Sequence, residues 1–315
     1  GQLEAAVKSY GKALAIKPDL AEAHSNLAVT LQELGQLEAA VKSYELALAI
    51  KPDFAKAHSN LGVTLQELGQ LDAAVKRYEQ ALAIKPDYAE AHSNLGNALQ
   101  DLGQLDAAVK RYEQALAIKP DYAEAHSNLG NALKELGQLD EAVKRYEQAL
   151  AINPDSAEAH SNLGITLKDL GQLDEAVKSY EQALAINPDS AEAHYNLGNT
   201  LKELGHLNAA VKSYEQTLAI KPGYADAYNN LGNTLKDLGH LEAAVKSFEQ
   251  ALAINTDFAE AHSNLGITLH EFGQLDAAVK SHEQALAIDP DIAEAHSNLG
   301  ITLHELGQLN EAVKR

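Results

Sequence analysis

The chain of 315 residues carries 45 Asp and Glu against 25 Lys and Arg, a formal net charge of −20 that disfavours nucleic acid and anionic membrane surfaces as partners. It has no Cys, Met or Trp, which excludes disulfides, thiolate metal sites and cysteine nucleophiles. With aromatics at only 5%, a thin stacked helical core suits the chain better than a thick globular one.

Residues 1–20 show neither the charged start nor the apolar run of a signal peptide, and no stretch is long enough to span a bilayer, so a soluble, cytoplasmic protein is the expectation. The chain opens at Gly1 within a repeat and closes within another, and it reads as a fragment of something longer. Glycines at 35, 69, 103, 137, 171, 205, 239, 273 and 307 recur every 34 residues, and that period decides the architecture. Residues 1–20 are a trailing half-repeat. Eight complete units follow (21–54, 55–88, 89–122, 123–156, 157–190, 191–224, 225–258, 259–292), then a partial ninth at 293–315. The units 89–122 and 123–156 differ at only five of 34 places.

In the unit 89–122, Ala91, His92, Leu95, Gly96, Leu99 and Leu102 form one apolar stripe at helical spacing, predicting a first helix, A. Gly103 ends it in a left-handed conformation. Leu105, Ala108, Val109, Tyr112, Ala115, Leu116 and Ile118 predict a second helix, B, which Pro120 stops. Asp121 with Glu124, like Asp87 with Glu90 and Asp155 with Glu158, predicts a capping box at the start of the next A helix.

His92-Ser-Asn-Leu95-Gly96-Asn-Ala-Leu99, with Ala108, Tyr112 and Pro120, resembles the tetratricopeptide repeat signature over the whole chain. The departures are His where that family usually carries Trp, Leu where it usually carries Tyr, and Thr256 in place of one proline. The resemblance implies an all-α, right-handed superhelical solenoid of antiparallel helix pairs whose A helices line a concave groove. It also implies a scaffold for protein–protein interaction.

On the side of helix A opposite the apolar stripe, Asn26, Asn60, Asn94, Asn128, Asn162, Asn196, Asn230, Asn264 and Asn298 occupy one place without exception. A primary amide offers donors and an acceptor together, so each can pair with the N–H and C=O of a passing peptide whatever its side chains. The run resembles the inner asparagines of the repeat domain in O-linked N-acetylglucosamine transferases, which grip substrate backbones. Two readings stand: a peptide-holding ladder, or helix solubility and local bonding.

Selectivity in the groove would come from places that vary. Three residues beyond the ladder stand Val29, Val63, Asn97, Asn131, Ile165, Asn199, Asn233, Ile267 and Ile301. Three further on stand Gln32, Gln66, Gln100, Lys134, Lys168, Lys202, Lys236, His270 and His304, each beside an acid such as Glu135 or Asp169, which reads as a solvated mixed-charge face. Glu90, Ser93 and Asn94, with only Lys56 breaking the acidic row, argue against the carboxylate clamp by which some tetratricopeptide domains hold chaperone C-termini.

Eight of 13 histidines (24, 58, 92, 126, 160, 194, 262, 296) share one place on helix A, with Tyr228 in the ninth copy. Successive copies are too far apart for the roughly 2 Å bonds of a shared zinc, so they are expected to pack between helices A and B. Neutral burial would make stability fall as pH drops through about 6.5. No catalytic constellation rises above the repeat background, so no enzyme, cofactor or metal is expected within this chain. The expected partner is a protein or an extended peptide. Two alternatives remain: a substrate-recognition fragment of an O-linked N-acetylglucosamine-transferase-like enzyme, and a structural solenoid whose complementary end faces stack head to tail.

Overall fold

The structure is a computed structural model that describes residues 1–307. Residues 308–315 of the partial ninth repeat therefore lie outside the described residues. The chain divides into two units, Gly1–Asp155 and Ser156–Arg315. The first holds α1 (Gln2–Ile16), α2 (Ala21–Glu33), α3 (Leu37–Ile50), α4 (Ala55–Glu67), α5 (Leu71–Ile84), α6 (Ala89–Asp101), α7 (Leu105–Ile118), α8 (Ala123–Glu135) and α9 (Leu139–Ile152). The second holds α10 (Ala157–Asp169), α11 (Leu173–Ile186), α12 (Ala191–Glu203), α13 (Leu207–Ile220), α14 (Ala225–Asp237), α15 (Leu241–Ile254), α16 (Ala259–Glu271), α17 (Leu275–Ile288) and α18 (Ala293–Glu305). Even-numbered helices are A helices and odd-numbered ones are B helices. No strand occurs among the described residues.

Each A helix ends where its chain reverses. Gly103 has φ +72°, its N–H bonds Gln100 O at 2.8 Å, and Gln104 N–H bonds Leu99 O at 2.8 Å. This pair of bonds satisfies the last carbonyls of the helix and requires a residue tolerant of positive φ. The helix starts depart from the capping-box expectation. Tyr88 and Tyr122, not Asp87 or Asp121, hold the cap positions and make no side-chain cap bond. At the third site Ser156, not Asp155, accepts from Ala159 N at 3.2 Å. The acidic residue stands one place too early for its oxygen to reach the free amides of the first turn.

Within a repeat, the A and B helices close on an aromatic ring. Tyr112 is wholly buried against Gly96, where a Cβ would come within 2.6 Å of the ring. Ala91, Leu95, Ala98, Ala108 and Ala115 complete this thin core. Ile118 was expected in the same stripe, yet it is 39% exposed. At 3.6 residues per turn it lies about 120° round the helix from Tyr112.

Successive A helices within each unit come within 8 Å of one another, as α2 with α4 and α12 with α14, whereas successive B helices do not. Closer spacing on one side curves a stack toward that side. The A helices therefore line the inner side within each unit, and the asparagine row lies on that face.

Candidate functional site

Eight of the nine ladder asparagines are half-buried and Asn26 is exposed. They are not equivalent. Asn128 of α8 donates its amide to Asn97 Oδ1 of α6 at 3.0 Å, and the same oxygen accepts the Tyr112 hydroxyl of α7 at 2.8 Å. Gln100 Oε1 stands 3.0 Å from that hydroxyl. In the second unit Asn230 donates to Asn199 Oδ1 at 2.9 Å, and the Tyr214 hydroxyl reaches the same atom at 2.8 Å. Asn131 accepts the Tyr146 hydroxyl at 2.7 Å. The ladder position and the position three residues beyond it, which the sequence presents as two separate rows, are thus joined across adjacent repeats.

Where the second position is apolar, the link is missing. Val63 precedes Asn94 by one repeat and Ile165 precedes Asn196; both asparagines have no side-chain hydrogen-bond partner among the described residues. Asn233 is half-buried but does not tie Asn264, which donates instead to Asn229 Oδ1 at 3.1 Å. Asn229 is buried and gives its own amide to Glu260 at 3.0 Å.

The third row forms its own inter-repeat chain. Gln32 donates to Glu67 at 2.8 Å, Gln66 to Asp101 at 2.6 Å, and Gln100 to Glu135. Lys168 faces Glu203 at 3.6 Å and Lys202 faces Asp237 at 4.0 Å. Lys134 and Lys236 are half-buried on the same row. For Lys168 and Lys202 the acid is supplied by the next repeat, not by the neighbour in sequence.

Several participants escaped sequence reasoning. The buried tyrosines of helix B read as core, yet their hydroxyls reach the inner face. Tyr195, standing where most copies have Ser, accepts Asn230 Nδ2 at 3.0 Å and packs 4.9 Å from the Tyr224 ring. A Tyr among serines on the ladder face was the available signal.

Three of the eight helix-A histidines are buried, the other five are half-buried, and the buried three clasp the preceding loop. His58, His92 and His126 are buried, and their Nε2–H donates to the carbonyls of Pro52, Pro86 and Pro120 at 2.9–3.0 Å. Burial holds His58 and His92 below the ordinary imidazole range. His282, which replaces the helix-B tyrosine, is wholly buried with both nitrogens unpartnered, and burial followed by the charge of His270 lowers it to about 4. Among the described residues no cluster could hold a metal ion. No helix there is long and apolar enough to cross a membrane.

Two hollows open on the asparagine face. One of about 250 Å³ is lined by Asn162, Ile165, Glu192 and Asn196, and one of about 350 Å³ by Val29, Tyr44, Asn60, Val63 and two glutamates. A third, of about 580 Å³, lies between α7 and α9 beside His126, away from the asparagines.

The TPR repeat family matches residues 1–35, 30–69, 66–103, 96–137, 130–171, 166–205, 198–239, 232–272 and 268–307. The chain belongs to the tetratricopeptide repeat family. No curated protein matches it in sequence. Among solved structures it is similar to YrrB, described as a TPR protein with an unusual peptide-binding site, at 26% identity and TM-score 0.53 over 58% of this chain and 95% of that one. It is similar to MamA at 28% identity and TM-score 0.51, over 53% of this chain and 97% of that one. Pseudomonas aeruginosa pilF shares the fold at 21% identity and TM-score 0.58, over 70% of this chain and 96% of that one. A TPR architecture of this kind is a protein-interaction scaffold.

Proposed function

We propose that this chain binds rather than catalyses, holding an extended peptide segment along its A helices with asparagines that take the peptide main chain. The observation that carries the reading is the division of the ladder. Asn128, Asn230 and Asn264 spend their amides inside the scaffold, while Asn94 and Asn196 present theirs on the same face without a partner. A free amide beside an apolar neighbour such as Val63 or Ile165 pairs with peptide backbone and gives its side chains a surface to cover. The likeness to YrrB supports this, and the resemblance to O-linked N-acetylglucosamine transferases implies the same way of holding substrate.

Each such bond adds only about 0.5–1.5 kcal/mol net, while association costs on the order of 4–15 kcal/mol. The ligand must therefore be long, and affinity modest. The test is a fluorescence titration of unrelated unstructured peptides against paired variants. Asn94→Ala with Asn196→Ala should weaken binding about tenfold while leaving the melting temperature near that of the parent. Asn128→Ala with Asn230→Ala should lower the melting temperature more than the affinity. Equal peptide binding by the first pair and the parent assigns the asparagines to the scaffold alone.

A further inference from the structure

At two junctions the asparagine three places beyond the ladder gathers two donors at one oxygen: Tyr112 and Asn128 on Asn97, Tyr214 and Asn230 on Asn199. In the repeat 21–54 that oxygen is missing. Val29 occupies the place, ends one bond short of it, and carries no acceptor. Tyr44 is wholly buried, and among the described residues its hydroxyl is the one tyrosine hydroxyl buried without a hydrogen-bond partner. The Asn60 amide eases ionisation of that hydroxyl, as a donor aimed at its oxygen does, and so supplies no acceptor for the hydroxyl proton.

The neighbouring junction shows why no glutamine fills the gap. Val63 also replaces asparagine there, and the Tyr78 hydroxyl turns to Gln66 Oε1 at 3.1 Å. Gln32, the counterpart of Gln66, has its Oε1 turned to the Thr64 hydroxyl at 3.0 Å, a hydroxyl shared with the Asn60 carbonyl at 3.1 Å. Its amide is held by Glu67 at 2.8 Å. The residue that would compete in the same way for Gln66 is Ala98, which has no hydroxyl. Ala28, where every other copy has glycine, adds a methyl group at the place where a Cβ elsewhere would press on the ring.

Two converging donors without an acceptor thus face a hollow of about 350 Å³ with aliphatic walls, Val29 and Val63, and two carboxylates, Glu33 and Glu67. No cation lines it. Burial first, then Glu67 and Glu33, push the Tyr44 hydroxyl up to about 12, so at neutral pH it remains a donor.

We propose that this hollow is a subsite for a lysine- or arginine-bearing stretch of peptide, whose neutral main-chain carbonyl takes the place of the missing asparagine oxygen. The proposal rests on the reading above that the A helices hold extended peptides. Asn60 turns aside to admit the carbonyl to the shielded Tyr44 hydroxyl and then donates to the same oxygen. The alkyl stem of the basic side chain covers Val29 and Val63 while its charged tip meets Glu33 and Glu67. The same two carboxylates repel an anionic ligand, which leaves a neutral carbonyl as the fitting acceptor.

The test uses the full chain and two labelled peptides of equal length, alternating lysine–alanine and glutamate–alanine. The lysine peptide should bind at least about tenfold tighter, and more weakly as salt rises. Val29→Asn supplies the missing oxygen internally, so it should raise the melting temperature and weaken lysine-peptide binding about tenfold. Tyr44→Phe should weaken that binding without lowering the melting temperature. A Val29→Asn chain that melts lower than the parent, or binds the lysine peptide unchanged, overturns the proposal. Binding that responds to Asn94→Ala with Asn196→Ala but not to Val29→Asn overturns this proposal alone. Failure of both peptides to bind overturns it together with the wider reading.

Discussion

The repeats 89–122 and 21–54 have the same helices, the same turn and the same buried tyrosine, yet they treat that tyrosine in opposite ways. In the first, Gly96 lets the Tyr112 ring close on helix A, and Asn97 receives its hydroxyl. In the second, Ala28 and Val29 stand in those places and the Tyr44 hydroxyl is left over. The difference separates two requirements. Core volume and helix ends make the repeat; a single polar atom at the inner edge decides whether its donors serve the scaffold or face outward.

The largest effect is expected where the buried ring itself changes character. His282 occupies the place of Tyr112 in the repeat 259–292, facing His270, which in turn stands 3.2 Å from Glu305. Its folded pKa of about 4 lies below the unfolded value near 6.5. The unfolded chain therefore binds more protons in this window, and stability is full above about pH 6.5 and falls toward pH 4. The loss is on the order of 3 kcal/mol for this repeat. His58 and His92 are shifted in the same direction. Hydrogen exchange followed across this range should show α16 and α17 opening first, and His282→Tyr should flatten that part of the profile. A second effect comes from Gly96→Ala, which forces a methyl group within 2.6 Å of the Tyr112 ring and should cost about 1–3 kcal/mol in urea unfolding. The smallest is Asn97→Val, which remakes the repeat 21–54 at this edge. It should cost about 1 kcal/mol by leaving the Asn128 amide without its acceptor, and should reduce exchange protection at the α7–α8 junction.

The fold was legible because each of its determinants is local. The 34-residue spacing of Gly103 and its copies, the stripe around Leu95 and the stop at Pro120 all act within a few residues of the chain. Even there, a one-residue offset hid the helix caps at Tyr122 and Ser156, and a rotation about the helix axis exposed Ile118. The inner face was legible as a row of amides but not as a network. The oxygen of Asn97 is shared by Tyr112 on the following helix and Asn128 in the next repeat, and no spacing within one repeat indicates that junction. Thr64, which draws Gln32 away from Tyr44, reads in the sequence as one more small residue in a helix.

The forward links along the third row have a bearing on how such a chain changes its length. Gln32, Gln66 and Gln100 each reach the acid that ends the A helix of the following repeat, so every link has a donor on one side and an acceptor on the other. Along this row, excising or inserting one whole repeat rejoins a donor to an acceptor of the same kind. Copies as alike as 89–122 and 123–156, differing at five of 34 places, are what unequal recombination acts on. Copy number can therefore drift by whole repeats while this row keeps its links, and a longer or shorter groove becomes a change in gene length rather than in design.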